Sequence, residues 1–345
     1  MGILADFDLT PGPGVSERAL LTKRLNRLTV RSAPDGDGEG WLLSARWATA
    51  NFERVPGSEP RDLLIRREFS WRSADPPVSI SDRKPPGREH RPSATRILDS
   101  RGAALRLYLI ILAVAHKTRW RTATHANELP LAGDFGWVDL VAGRLKKQGA
   151  PRMVASDRDD RLRTVHAALR SLQGAGLVEL PNDGRPKGTY DGFIPLREGG
   201  LLLPASVRYT LPTTKDVLIS LPYTFITNGW VHLLEDSEIA LLLMVACGAG
   251  SLEVPGLQPG WVAIPAATRL ARYGLSRDAF DAHRMLKRFG LLDVYGLGRH
   301  DEDLSRVREY GKKEPQLHRL HLRREGFEEP ALDVVPTEVA RRLRE

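Results

Sequence analysis

One pattern occurs twice in the chain and constrains what it can fold into. Arg163 to Leu177 reads RTVHAALRSLQGAGL, and Arg277 to Leu291 reads RDAFDAHRMLKRFGL. Both fit one frame, which matches Arg163 with Arg277, Ala168 with Ala282, Arg170 with Arg284, Leu172 with Leu286, Gly176 with Gly290 and Leu177 with Leu291. An apolar triplet with an acid at its centre or nearby follows each copy, Val178-Glu179-Leu180 and Leu292-Asp293-Val294. A helix stopped by glycine, which takes left-handed backbone without a Cβ penalty, and then a strand, is the local structure this frame predicts.

Three further landmarks precede both copies in the same order. Leu98…Ala104-Leu105-x-Leu107 is echoed by Leu234…Ala240-Leu241-x-Leu243. Gly136-Trp137-Val138 returns as Gly260-Trp261-Val262, and Arg144-Leu145…Gly149 as Arg269-Leu270…Gly274. The chain therefore contains a duplicated unit: an apolar helix, a Gly-Trp-Val segment, a short helix ending in glycine, then a longer helix ending in Gly-Leu and a strand. Asp99-Ser100 and Asp236-Ser237 suit the start of the apolar helices, Pro265 the first turn of the second unit's short helix, and Ser276 its next N-cap. Leu177–Leu180 with Phe193–Leu196, and Leu291–Tyr295 with Leu317–Leu322, read as hairpin strands. PNDGRPKGTYDG and a segment with Gly296-Leu297-Gly298-Arg299-His300 would form their tips. This is the order of a winged helix-turn-helix.

The faces of the long helices can be read at about 100° per residue. In the first copy Leu162, Val165, Leu169 and Leu172 fall inward, and Arg163, Thr164, Ala167 and Arg170 outward. In the second, Ala279, Ala282, His283, Leu286 and Phe289 fall inward; Arg277, Arg284 and Arg288 fall outward, with Phe280 near the edge. An arginine one helical step from a small residue suits major-groove reading, because guanidinium bonds guanine O6 and N7 together. The bland alternative is a solvated helix face. The residues expected to touch DNA are Arg163, Thr164, Ala167 and Arg170 with Arg185 and Lys187 in the first wing. In the second unit they are Arg277, Phe280, Arg284 and Arg288 with Lys312 and Lys313 in the wing.

Residues 1–72 alternate at Trp41-Leu42-Leu43, Ala45-Arg46-Trp47 and Asp62 to Trp71, and read as a small β-rich region. Residues 73–95 carry Pro76, Pro77, Pro85, Pro86 and Pro92 with Arg83, Lys84, Arg88 and Arg91, and read as a basic linker without a packed core. The units span 96–200 and 233–325, with a connector at 201–232 and a tail at 326–345. The expected fold class is α+β, with two tandem winged helix-turn-helix domains behind a small β-rich N-terminal region.

Composition narrows the function. The 51 Lys+Arg against 43 Asp+Glu give a formal charge of +8 and favour a polyanionic partner. Cys247 is the single cysteine, so neither a disulfide framework nor a cysteine zinc site is expected. No GxxxxGK[ST] phosphate loop is present, and Gly296-Leu297-Gly298 is a turn signal. His318 and His321 would lie on opposite faces of a strand, a poor metal pair; Tyr295 and Tyr310 lack the partners of a nickase. No enzyme activity, metal or cofactor is expected. MGILADFDLT lacks the regions of a signal peptide, and the longest uncharged apolar run, Leu107 to Ala115, falls short of the roughly 20 residues that span a bilayer. A cytoplasmic protein without a membrane partner is expected.

With these motifs the chain, over about residues 96–325, resembles the tandem winged-helix architecture of plasmid replication initiators. It also resembles actinobacterial helix-turn-helix proteins in phrases such as GAALRLYLIILAVAH, GWVDLVA, LPYTFITNGWVHLLEDSEIALLLM and RYGLSRDAF. The initiator resemblance implies one winged domain serving dimerisation and another reading origin repeats, with the third helix of each copy at the matching positions. The expectation is a non-catalytic, sequence-specific double-stranded DNA-binding protein, a transcription regulator or a replication initiator of a plasmid or mobile element, acting as a monomer or homodimer. The alternative is a winged-helix scaffold that binds protein.

Overall fold

The computed structural model describes residues 12–29, 40–74, 84–98, 103–143, 154–185, 187–249, 252–254, 258–295, 306–307 and 316–345. In chain order, α1 (Val15–Thr29), α2 (Trp41–Glu53) and β1 (Asp62–Arg66) precede α3 (Ser93–Arg96). The first unit holds α4 (Ala104–Thr118), two 3-10 turns (Ala123–Glu128 and Trp137–Leu140), α5 (Val154–Gly174), β2 (Val178–Glu179) and β3 (Ile194–Pro195). β4 (Leu218–Pro222), α6 (Thr224–Thr227) and α7 (Trp230–Leu233) lead to the second unit. That unit holds α8 (Asp236–Gly248), β5 (Val262–Ala263), α9 (Ala266–Tyr273), α10 (Arg277–Phe280), α11 (His283–Arg288), β6 (Leu292–Tyr295), β7 (Arg306–Val307), β8 (Gln316–Leu317) and β9 (Arg319–Leu322); α12 (Ala331–Arg344) follows. The class is α+β.

The repeated frame is a repeated helix end. Gly176 has φ +70° and Gly290 +73°. Leu177 N–H donates to Leu172 O at 2.9 Å and Leu291 N–H to Leu286 O at 3.0 Å. Gly176 N–H reaches Gln173 O at 2.9 Å, and Gly290 N–H reaches Lys287 O at 3.0 Å. These are the paired bonds of a Schellman motif, closed by buried leucines on both sides. Both units then form an antiparallel hairpin, β2 with β3 and β6 with β9. The second unit adds β5 on the far side of β9, giving the order β5-β9-β6.

Among the described residues the N-terminal region is not β-rich. Trp41 to Trp47 lies in α2, whose buried residues Ser44, Ala45, Ala48, Asn51 and Phe52 recur at helical spacing. Among the described residues there, only β1 is a strand, and its partner is β4, far along the chain, with Leu63 opposite Leu221 and Ile65 opposite Ile219. The stretch read as a linker is buried at its end, from Pro92 onward, while Lys84 and Gly87 to Glu89 are exposed. Ser93, Ala94, Thr95 and Arg96 are buried, and Thr95 Oγ1 donates to Tyr273 O at 2.7 Å. Arg96 donates to the carbonyls of Glu89 at 2.7 Å and Arg91 at 3.0 Å. Proline removes ladder donors without forbidding burial, and here a buried guanidinium satisfies the carbonyls left over. The residues read as a tail form α12, which packs on α1 and buries Ala331, Val335 and Val339.

One continuous apolar cluster runs through α1, α2, α4, α5, α8 and α12 and both hairpins, so the units share a core. Charged pairs cross it: Arg24 to Glu238 at 2.6 Å, Arg106 to Asp236 at 3.0 Å and Arg66 to Glu198 at 2.9 Å. The start of α8 is set by Glu235, whose N–H bonds Glu238 Oε2 at 2.7 Å, one residue before the Asp236-Ser237 cap read from sequence. Gly274 (φ +63°) closes α9, and Ser276 Oγ accepts from Ala279 N–H at 3.2 Å, as the sequence implied. Pro265 stands just ahead of α9 as its N-cap. Asp99, Ser100 and Arg144 to Gly149 lie outside the described residues.

Candidate nucleic-acid interface

In the first unit α5 buries Val165, Leu169 and Leu172 against α4 and leaves Arg163, Ala167 and Arg170 exposed, with Thr164 half-buried. The predicted inner and outer faces therefore separate. Thr164 Oγ1 donates to Asp160 O at 2.9 Å, and Arg163 Nη1 meets Asp160 Oδ1 at 2.9 Å. Arg158 bonds Asp139 at 3.0 Å, and Asp139 also accepts from Gly136 N–H at 2.8 Å, which ties α5 to the turn before it.

The hairpin after α5 folds back on the helix. Asp183 accepts from Gln173 Nε2 at 2.9 Å and from Arg170 Nη1 at 3.1 Å. Tyr190 stacks on His166, with centroids 4.1 Å apart and planes 15° apart, and lies 5.7 Å from the Arg170 guanidinium. Hydrogen bonding with Tyr190, then the charge of Asp183, raises the Arg170 pKa. Arg185 and Lys187 stand exposed at the hairpin tip. Sequence reading found the two basic residues and missed Asp183, Tyr190, His166 and Gln173. Only their spacing from Arg170 across a turn could have exposed them.

The second unit places its matched residues differently. The helix breaks at Asp281-Ala282 into α10 and α11. Arg277 is exposed, and Arg284, one-third exposed, lies 3.9 Å from Asp281. Phe280 is not at an outer edge: it is 2% exposed, under the Arg269 guanidinium at 4.9 Å and against His283 at 5.1 Å. The break turns it inward, where no DNA reaches it. Arg288 is likewise removed from a groove-reading role, since its side chain is 8% exposed and makes two bonds to Glu345, at 2.8 and 2.7 Å. Lys312, Lys313 and Gly296 to His300 lie outside the described residues.

The landmark tryptophans also diverge. Trp137 is fully buried, and its Nε1 donates to Ala126 O at 3.0 Å. Trp261 is half-exposed and stacks on His321 at 5.3 Å beside Tyr295. His321 pairs with Asp293 at 3.4 Å, while His318 is buried on the other face, as the strand spacing predicted. Among the described residues no group of three or more His, Cys, Asp or Glu is placed to hold a metal, and no helix is long and apolar enough to cross a membrane. Comparison with protein families, with curated proteins and with solved structures finds no match to the chain.

Proposed function

We propose that the protein is a sequence-specific double-stranded DNA-binding protein made of two winged-helix units, acting without catalysis as a transcription regulator or as the replication initiator of a plasmid or mobile element. The observation that carries this reading is the solvent face of α5. Arg163, Ala167 and Arg170 follow one another there, flanked by Arg185 and Lys187 on the hairpin behind. A helix fits the major groove, arginine pairs with guanine, and a small alanine lets the helix approach and meets a thymine methyl. The element order supports it: helix, strand, helix, broken helix and a hairpin in the second unit, with β5 closing the sheet beside β9.

The two units divide the labour. α5 is the reader, and the second unit, with Phe280 buried and Arg288 held by Glu345, is a body that braces it or meets another protein. In a homodimer two copies of α5 would read a twofold site. Selection of genomic fragments bound by the purified chain tests the proposal. Enriched clusters of a repeated site identify an initiator, enriched promoter sites a regulator, and no enrichment over bulk DNA rejects sequence-specific reading. Salt titration of the selected site should show a steep loss of affinity.

A further inference from the structure

We infer that the cleft between α5 and its hairpin is a binding site for a small planar aromatic molecule bearing a cationic group. The cleft encloses about 630 Å³, within the roughly 300–1,000 Å³ of ordinary small-molecule sites. Its lining joins the stacked rings of His166 and Tyr190 to Leu129, Leu131, Leu162 and Phe193. All of these except Phe193 keep part of their surface open to solvent. Flat rings beside branched aliphatic carbons suit a flat apolar body, by offset or edge-on ring contact.

The charge of the occupant follows from the lining. Among the described residues that line it, Asp191 is the one carboxylate and none is a lysine or arginine; the Arg170 guanidinium lies outside that lining, 5.7 Å from the Tyr190 ring. Burial lowers the pKa of His166 in spite of Asp191, which favours the neutral imidazole. The cleft therefore offers an apolar slot with one anionic end, open enough that binding is weak.

Three segments meet here: the loop that carries Leu129 and Leu131, the helix α5, and the hairpin that carries Tyr190 and Asp191. An occupant pins the hairpin where Asp183 holds Arg170. This second step rests on the proposed DNA reading. A ligand that favours the pinned arrangement weakens DNA binding, and DNA weakens the ligand by the same factor.

The test titrates tryptamine, indole and indole-3-acetate into the full chain by calorimetry, as wild type, Asp191→Asn and Ala132→Trp, with circular dichroism to verify folding. Tryptamine should bind with a Kd of about 1 mM, at least about threefold tighter than indole, with indole-3-acetate weakest. Asp191→Asn should bring tryptamine to the level of indole, and Ala132→Trp should fill the cleft and abolish both. Absence of heat with all three up to about 10 mM, a preference for indole-3-acetate, or folded variants that titrate like wild type would overturn the site. Saturating tryptamine should weaken binding of a selected DNA site by about two- to fivefold; unchanged DNA affinity with tryptamine bound would overturn the coupling. Loss of all DNA binding beside an intact tryptamine titration would count against the DNA reading and not against the cleft.

Discussion

The two units end their long helices in the same turn and bury different faces of them. Gly176 and Gly290 close the same hydrogen-bonded turn. Ahead of that turn, α5 is one continuous helix whose outer face carries Arg163 and Arg170, paired with Asp160 and Asp183, whereas α10 and α11 form a broken one that buries Phe280 and the Arg288 side chain. His166 and Phe280 occupy matching positions in the repeat. His166 stacks on a hairpin tyrosine at the surface, and Phe280 sits in the core under Arg269. A duplicated frame thus preserves the stop signal that fixes where the strand begins, while the surface of the helix is free to diverge.

The largest effect expected from this contrast is on stability. Phe280→Ala should cost about 3–5 kcal/mol in urea unfolding, as for a large buried ring, whereas His166→Ala should cost less than about 1 kcal/mol. Equal costs would break the contrast. The junction between the units gives the next test. Burial, then the charge of Arg106, pushes the His232 pKa down to about 3. An unfolded histidine titrates near 6.5, so the unfolded chain takes up the proton first. The contribution of His232 is complete above about pH 6.5 and declines as pH falls towards 3, by at most about 1.4 kcal/mol per unit. Unfolding at pH 7 and pH 5 should show this decline in the wild type and less of it in His232→Gln; identical slopes would remove His232 from the account.

DNA affinity comes next. Arg170→Ala should lower it by about 1–3 kcal/mol and relax one base position, while Arg277→Ala, also exposed, should change it less than about twofold. Lys187→Ala has the smallest effect. It should weaken all sequences alike and reduce the slope of log affinity against log salt by about one. A base-specific loss instead would make the hairpin tip a reader.

The sequence carried the parts of the fold that depend on local chemistry. Leu-x-x-x-Gly-Leu specified the Schellman turns, Gly274 and Ser276 the close of α9 and the start of α10, and the 3.6-residue period the two faces of α5. Contacts between distant segments were not legible. The stretch from Trp41 to Trp47 alternates like a strand, yet its partners across the core select a helix. β1 finds its partner more than a domain away at β4. The end of the Pro-rich stretch is buried where Arg96 and Tyr273 bond to it. Phe280 is buried because Arg269 and His318 converge on it, which a helical wheel drawn for one unbroken helix does not reveal. At the candidate interface, the basic residues were legible from spacing, and the Asp183 and Tyr190 that hold Arg170 were not.

In the proposed function α5, and not α10 and α11, reads DNA. This assignment is tested most directly by fluorescence anisotropy of a DNA site selected with the wild-type chain, titrated with two double variants. Arg163→Ala with Arg170→Ala should reduce binding of that site to the level of unrelated DNA, while Arg277→Ala with Arg284→Ala should retain preference for it within about threefold. Retained specificity in the first variant, or its loss in the second, would contradict the account.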